Sequence, residues 1–130
     1  MSESGTARGT FDVEMGPATA VEPPLGSMTI TKTWHGDLQG TGRGLMLSAG
    51  DPANGVAGYV AVEVAEGALG ERSGSLAFQQ FGTMQPGGQE QIYQVAPGSG
   101  TGDLAGITGT LKLDIDEDGK HSYTLDWTID

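Results

Sequence analysis

The sequence predicts an all-β fold, an antiparallel up-and-down barrel of about eight strands, with a β-sandwich as the second choice. Three observations predict it. Successive stretches alternate apolar and polar residues with a period of two, the mark of a strand with one buried face. Glycine is abundant, 23 of 130 residues, without a collagen repeat and among clear apolar alternation, so it marks turns and bulges rather than disorder. No window carries a sustained helical period, so helix should claim under roughly a tenth of the residues.

The strands follow in order. Ala7, Gly9, Phe11, Val13 and Met15 share one face, opposite Arg8, Thr10, Asp12 and Glu14. Gly16 to Ser27 carries Pro17, Pro23 and Pro24 and reads as a long loop. Met28, Ile30, Lys32 and Trp34 face inward on a second strand, where Lys32 is the misfit, and His35 lies on the polar face. A third strand, Leu38 to Ala49, is softened by Gly40, Gly42 and Gly44, and Asp51-Pro52-Ala53-Asn54-Gly55 turns the chain. In Ala57 to Ala65, Tyr59, Ala61 and Glu63 oppose Val60, Val62 and Val64. Apolar residues on both faces suit a barrel wall that also meets a neighbouring subunit. Gly74 to Met84 carries Leu76, Phe78 and Gln80 in register, and Glu90 to Ala96 forms a sixth strand. The last two strands make a hairpin. Leu111, Leu113 and Ile115 alternate on one side of Asp116-Glu117-Asp118-Gly119, and His121, Tyr123, Leu125 and Trp127 on the other.

The length suits one domain over residues 1–130, with residues 1–5 a flexible tail. Seventeen acidic residues against six basic ones give a net charge of −11, which disfavours nucleic acid and anionic membranes as partners. With no cysteine there is no disulfide framework or thiolate chemistry. The polar start and the absence of a long apolar run argue against a signal peptide or a membrane span, so a cytoplasmic protein is expected.

Several short motifs fail on context. Asp114-x-Asp116-x-Asp118-Gly119 imitates the start of a calcium loop, but Leu125 stands where its final glutamate belongs and both flanks are strands. Gly100-Thr101-Gly102-Asp103-Leu104-Ala105 imitates a dinucleotide fingerprint, but no helix follows it. His35 and His121 have no metal-ligand spacing, and no nucleophile elbow surrounds any serine. Neither metal nor organic cofactor is expected.

Trp34-His35-Gly36-Asp37-Leu38, Ala57-Gly58-Tyr59-Val60-Ala61-Val62-Glu63, Arg72-Ser73-Gly74-Ser75, Gly100-Thr101-Gly102-Asp103-Leu104-Ala105-Gly106 and Gly119-Lys120-His121-Ser122-Tyr123 resemble a bacterial family of uncharacterised proteins, domain of unknown function 3224. That family is grouped with allene oxide cyclase-like barrels and is distantly similar to plant dirigent proteins. The resemblance runs from Arg8 to Trp127. It implies a barrel whose relatives cyclise or couple apolar small molecules without a cofactor. Gln80 stands where a histidine is common in the family, which puts chemistry resting on a base there in doubt.

The candidate site is then the set of polar or aromatic side chains assigned inward. Lys32 and Glu63 are expected to pair, because an isolated buried charge costs several kcal/mol. Glu63, His121 and Lys32 are the candidate catalytic groups, and Trp34, Tyr59, Gln80, Tyr123 and Trp127 the candidate substrate-binding ones. The first reading is a cofactor-independent cyclase or isomerase acting on a polyene, polyketide or lipid-like substrate inside the barrel. Its alternatives are a non-catalytic ligand-binding or carrier barrel and a homo-oligomeric scaffold with a filled interior. A cavity of roughly 300 Å³ or more would favour the first two. Glu63 and His121 facing one ligand position would favour catalysis over carriage.

Overall fold

Every predicted strand forms, and each runs longer than its apolar alternation. The computed structural model describes residues 2–130, with Gln89 through its backbone alone. The strands are β1 (Glu3–Pro17), β2 (Leu25–Gly36), β3 (Leu38–Asp51), β4 (Val56–Leu69), β5 (Arg72–Gln85), β6 (Gly88–Val95), β7 (Ile107–Ile115) and β8 (His121–Ile129). Each pairs antiparallel with the next, and β8 returns to β1, closing the barrel. Strand accounts for 73% of the residues and helix for 5%, the latter in one-turn segments at Pro52–Asn54 and Gly102–Leu104. Among the described residues, no helix is long and apolar enough to cross a membrane.

Residues 3–5, expected within a flexible tail, lie in β1. Glu3, Ser4 and Gly5 pair with Ile129, Thr128 and Trp127 of β8. Arg72 forms an ion pair with Glu3 and lies over the Trp127 ring, 5.0 Å from its centroid. A strand's ends are held by backbone pairing, which leaves no signature in side-chain alternation.

The barrel has two unlike ends. The connections at 18–24, 52–55, 86–87 and 116–120 surround one end, and the turns at Asp37, Gly70 and 96–106, with the termini, surround the other. The second end is packed shut by Ala7, Leu38, Leu69, Leu76, Leu104, Ile107 and Leu125. The segment that imitates a dinucleotide fingerprint does structural work there. β6 stops at Val95, leaving the first half of β5, paired with β4 on one side, without a strand partner on the other, and the following loop supplies the hydrogen bonds there instead. Ser75 donates its amide to Thr101 Oγ1 (3.1 Å), Thr101 donates back to the Ser75 carbonyl (2.8 Å), and Ser73 donates to Asp103 Oδ2 (3.1 Å). Leu104 then inserts its side chain as the plug.

Tyr123 locks the same end. Its hydroxyl accepts from the Leu38 amide at 2.8 Å and lies 3.0 and 3.1 Å from the carbonyls of His35 and Leu38. The ring reaches them by crossing Gly9, where a Cβ would sit 2.6 Å from the hydroxyl oxygen. Burial raises its pKa, the Leu38 amide opposes that, and Asp37 adds to it. The phenol's contribution to stability is therefore complete below the ordinary tyrosine range and declines as pH rises through the raised value. Replacing Tyr123 with Phe strands the buried Leu38 amide, and we expect a loss of about 1–3 kcal/mol in denaturant unfolding. An unchanged urea midpoint would show that the turn finds other partners.

Candidate functional site

A charged pair crosses the middle of the barrel. Alternation turns Lys32 of β2 and Glu63 of β4 inward, but these strands are not neighbours; β3 runs between them. Opposite Lys32 on β3 is Gly42, and opposite Glu63 is Gly44. With neither position carrying a side chain, Lys32 and Glu63 reach over β3 and meet, Nζ to Oε1, at 2.8 Å. A Cβ at Gly42 would lie 3.3 Å from Lys32 Cβ and 3.4 Å from Glu63 Oε2. The glycines that soften β3 in the sequence thus make room for the ion pair.

Tyr93 of β6 completes the cluster. Its hydroxyl accepts from Lys32 Nζ at 2.8 Å and donates a short hydrogen bond to Glu63 Oε1. The ammonium also sits 4.4 Å from the ring centroid of Phe11, 5.2 Å from Tyr93 and 5.3 Å from Trp34. The cation is held by one carboxylate, one phenol and three ring faces. Two of its three N–H groups are engaged by Glu63 and Tyr93. Trp34 Nε1 and Glu63 Oε2, both close to Gly42, are buried without a hydrogen-bond partner among the described residues. Burial lowers the Lys32 pKa, with the charge and hydrogen bond of Glu63 opposing it. Burial first, then Glu63 and Tyr59, raise the Tyr93 pKa well above the ordinary phenol value.

Between this cluster and the open end lies a cavity of about 270 Å³. Its walls are mainly apolar, from Phe11, Val13, Ile30, Met46, Leu113 and Ile115. Lys32 and Tyr93 reach its surface from below, while Tyr59, Gln80, Gln91 and His121 border it. The Tyr59 hydroxyl accepts from Gln80 Nε2 (2.8 Å) and Gln91 Nε2 (2.6 Å), which ties three strands together beside the cavity. The His121 ring lies against Phe11, with centroids 5.1 Å apart.

The eight sequence-derived candidates divide into three groups. Lys32, Tyr59, Gln80 and His121 line the cavity. Glu63 is inward and paired with Lys32 as expected, but lies behind it, away from the cavity wall; Glu63 and His121 do not share a ligand position. Trp34, Tyr123 and Trp127 face inward yet contribute no wall. Trp34 is packed beneath the cluster against Phe11, Phe78 and Tyr123. Tyr123 is spent on the closed end, and Trp127 pairs with Gly5 there. Tyr93 and Gln91 belong to the site and were not selected from sequence. Their signal is the shared face with Val95 along β6. His35 lies on the outer surface, 3.0 Å from Asp12, and no metal-ligating cluster of three or more groups occurs among the described residues.

The ion pair generates a contrast. Glu63→Gln leaves a buried ammonium without its counter-charge, so we expect about 3–5 kcal/mol of destabilisation. The double variant Lys32→Met, Glu63→Leu removes both charges and should recover most of it in the same urea titration. Alkaline behaviour adds a second readout. The unfolded chain holds the Lys32 proton more tightly, so that group favours folding as pH rises toward the ordinary lysine range. Tyr93 acts oppositely. Its stabilisation is present below about pH 10 and lost above it, so Tyr93→Phe should blunt the alkaline loss of stability. A Glu63→Gln protein as stable as the wild type would mean that Lys32 does not depend on this carboxylate.

Comparison with known proteins identifies relatives without assigning them an activity. A crystal structure of a protein with unknown function from the DUF3224 family, from Shewanella oneidensis MR-1, is 37% identical, covers 98% of both chains and superposes with a TM-score of 0.90. No curated protein matches the chain. The model of the family described as protein of unknown function, DUF3224, matches residues 7–127, and the chain belongs to that family.

Proposed function

We propose that this barrel binds an apolar small molecule in its open end, anchored by an oxygen of the ligand that accepts a hydrogen bond from Lys32. The observation that carries this reading is an apolar cavity of about 270 Å³ with an ammonium at its inner surface. That volume lies at the small end of ligand pockets, roughly 300–1,000 Å³, and just under the size set above as favouring binding, so a compact ligand fits best. Lys32 has one N–H beyond those engaged by Glu63 and Tyr93, and in an apolar cavity a carbonyl or carboxylate oxygen is its natural acceptor. The net charge of −11 sets nucleic acid and anionic lipid surfaces apart from the expected partners.

Carriage is favoured over turnover because Glu63 and His121 do not converge on one point in the cavity. A cyclase or isomerase reading, the activity class of the allene oxide cyclase-like barrels this sequence resembles, keeps one observation in its favour. Tyr93, Lys32 and Glu63 share a proton-bearing network that reaches the cavity wall. In that case Lys32 would stabilise charge developing on a substrate oxygen, and the cavity would restrict a flexible chain to a reactive conformer.

Trp34 supplies the test, since its ring lies against the Lys32 ammonium that the ligand would engage. Titration with compact apolar carboxylic acids and enones should change tryptophan emission with saturation. Lys32→Met in the Glu63→Leu background, which leaves no unpaired charge, should weaken binding by about tenfold or more while the protein stays folded. Saturable binding unaffected by that double substitution would remove Lys32 from the site. No saturable response from any acid or enone would remove the proposal, and product formation by a bound compound would restore the catalytic reading.

A further inference from the structure

The outer surface of the barrel has two unlike halves. Over β7, β8, β1 and β2 the outward positions are Thr108, Thr110, Lys112, Asp114, Thr124, Asp126, Asp12, Glu14, Thr29 and Thr31. Over β3 to β6 a patch of large apolar side chains stands among polar ones, with Gln79 and Gln94 beside Val62 in its row and Arg43 beside Val64. Leu47, Val60, Phe81 and Ile92 form one row across four paired strands, with Leu45 and Val62 in the next row and Val64 beyond. All seven are exposed, between 45% and 58%. No carboxylate lies among them, although the chain has 17 acidic residues; the nearest outward ones, Glu66 and Glu90, sit toward opposite ends of the wall.

We infer that this wall is the contact surface for a second copy of the chain. Three features select that occupant. The first is charge, since two molecules of net charge −11 repel over most of their surfaces and can approach through a wall without acids. The second is area. Seven half-exposed side chains present roughly 600 Å² of apolar surface, the top of what a monomer carries and close to the ~800 Å² per partner of a standard interface. The third is shape. Val60 and Val62 stand between two grooves, one of about 350 Å³ beneath Ala18, Thr19 and Val21 of the β1–β2 loop, the other of about 340 Å³ beside Phe81 and Ile92. Ridge and groove lie side by side on one wall, so a two-fold axis near β4 lays the ridge of each copy in a groove of the other. This is the self-complementarity an isologous contact requires. Two twisted sheets then pack face to face with their strands nearly aligned.

Sedimentation of the full chain from low to high micromolar concentration tests the contact. Wild-type protein should be dimeric at the upper end. Val62→Asp or Phe81→Asp, each an outward substitution that leaves the interior untouched, should weaken self-association by about tenfold or more, with the circular dichroism of a folded β-protein retained. Should Val62→Asp fail to fold, Phe81→Asp alone carries the test. Thr31→Asp on the polar half should leave association unchanged. A wild-type monomer across the whole range overturns the inference, as does a dimer broken by Thr31→Asp and untouched by both wall variants.

Discussion

The buried Lys32–Glu63 pair is the constraint to which the rest of the interior answers. Two charges removed from water demand close mutual contact, further hydrogen bonds and a polarisable surround. Each requirement is met by a feature that would otherwise look like a defect. Gly42 and Gly44 weaken β3 as a strand, yet they let the pair meet across it. Tyr93 places a phenol deep in the barrel, where it serves Lys32 as acceptor and Glu63 as donor. Phe11, Trp34 and Tyr93 turn ring faces toward the ammonium at 4.4–5.3 Å. A barrel of this size could be filled with aliphatic side chains at less electrostatic cost, and the binding proposed for Lys32 would give the pair a use beyond stability.

Much of the fold was legible because a barrel wall imposes one rule, period two, along the whole chain. Lys32 stood out as a charge on an apolar face, and the need for a counter-charge led to Glu63 without further information. What alternation cannot give is height along the barrel axis. Trp34, Tyr123 and Trp127 all face inward as the pattern requires, but strand tilt and stagger put them below the cavity. Tyr93 escaped notice for a different reason. Along β6 glutamines occupy both faces, Gln91 with Tyr93 and Gln94 opposite them, so the contrast that separates inside from outside is weak there. The resemblance of the quoted motifs reached the correct family. It could not reach a ligand, because a shared barrel fixes where side chains point and leaves their chemistry to each sequence.

Stability and candidate function are separated along the barrel axis, and that separation follows from how the chain solves its edges. At the closed end, loop residues 99–103 complete the sheet beside β5, Leu104 plugs the interior, and Tyr123 fastens the β2–β3 turn. These contacts consume the polar groups that make them. At the open end the interior positions are Met46, Ile115, His121 and the Tyr59–Gln80–Gln91 group, which fill less of the available space. Methionine and glutamine adapt to a neighbour's shape more readily than the branched and aromatic residues below. Under the proposed binding function, a rigid base with a charged group at its upper surface, beneath a softer rim, would let ligand shape be read by the rim side chains. Changes of ligand among related chains would then concentrate at positions 46, 80, 91, 115 and 121, while the Lys32 cluster and the closed end remain fixed by the physics of the buried pair.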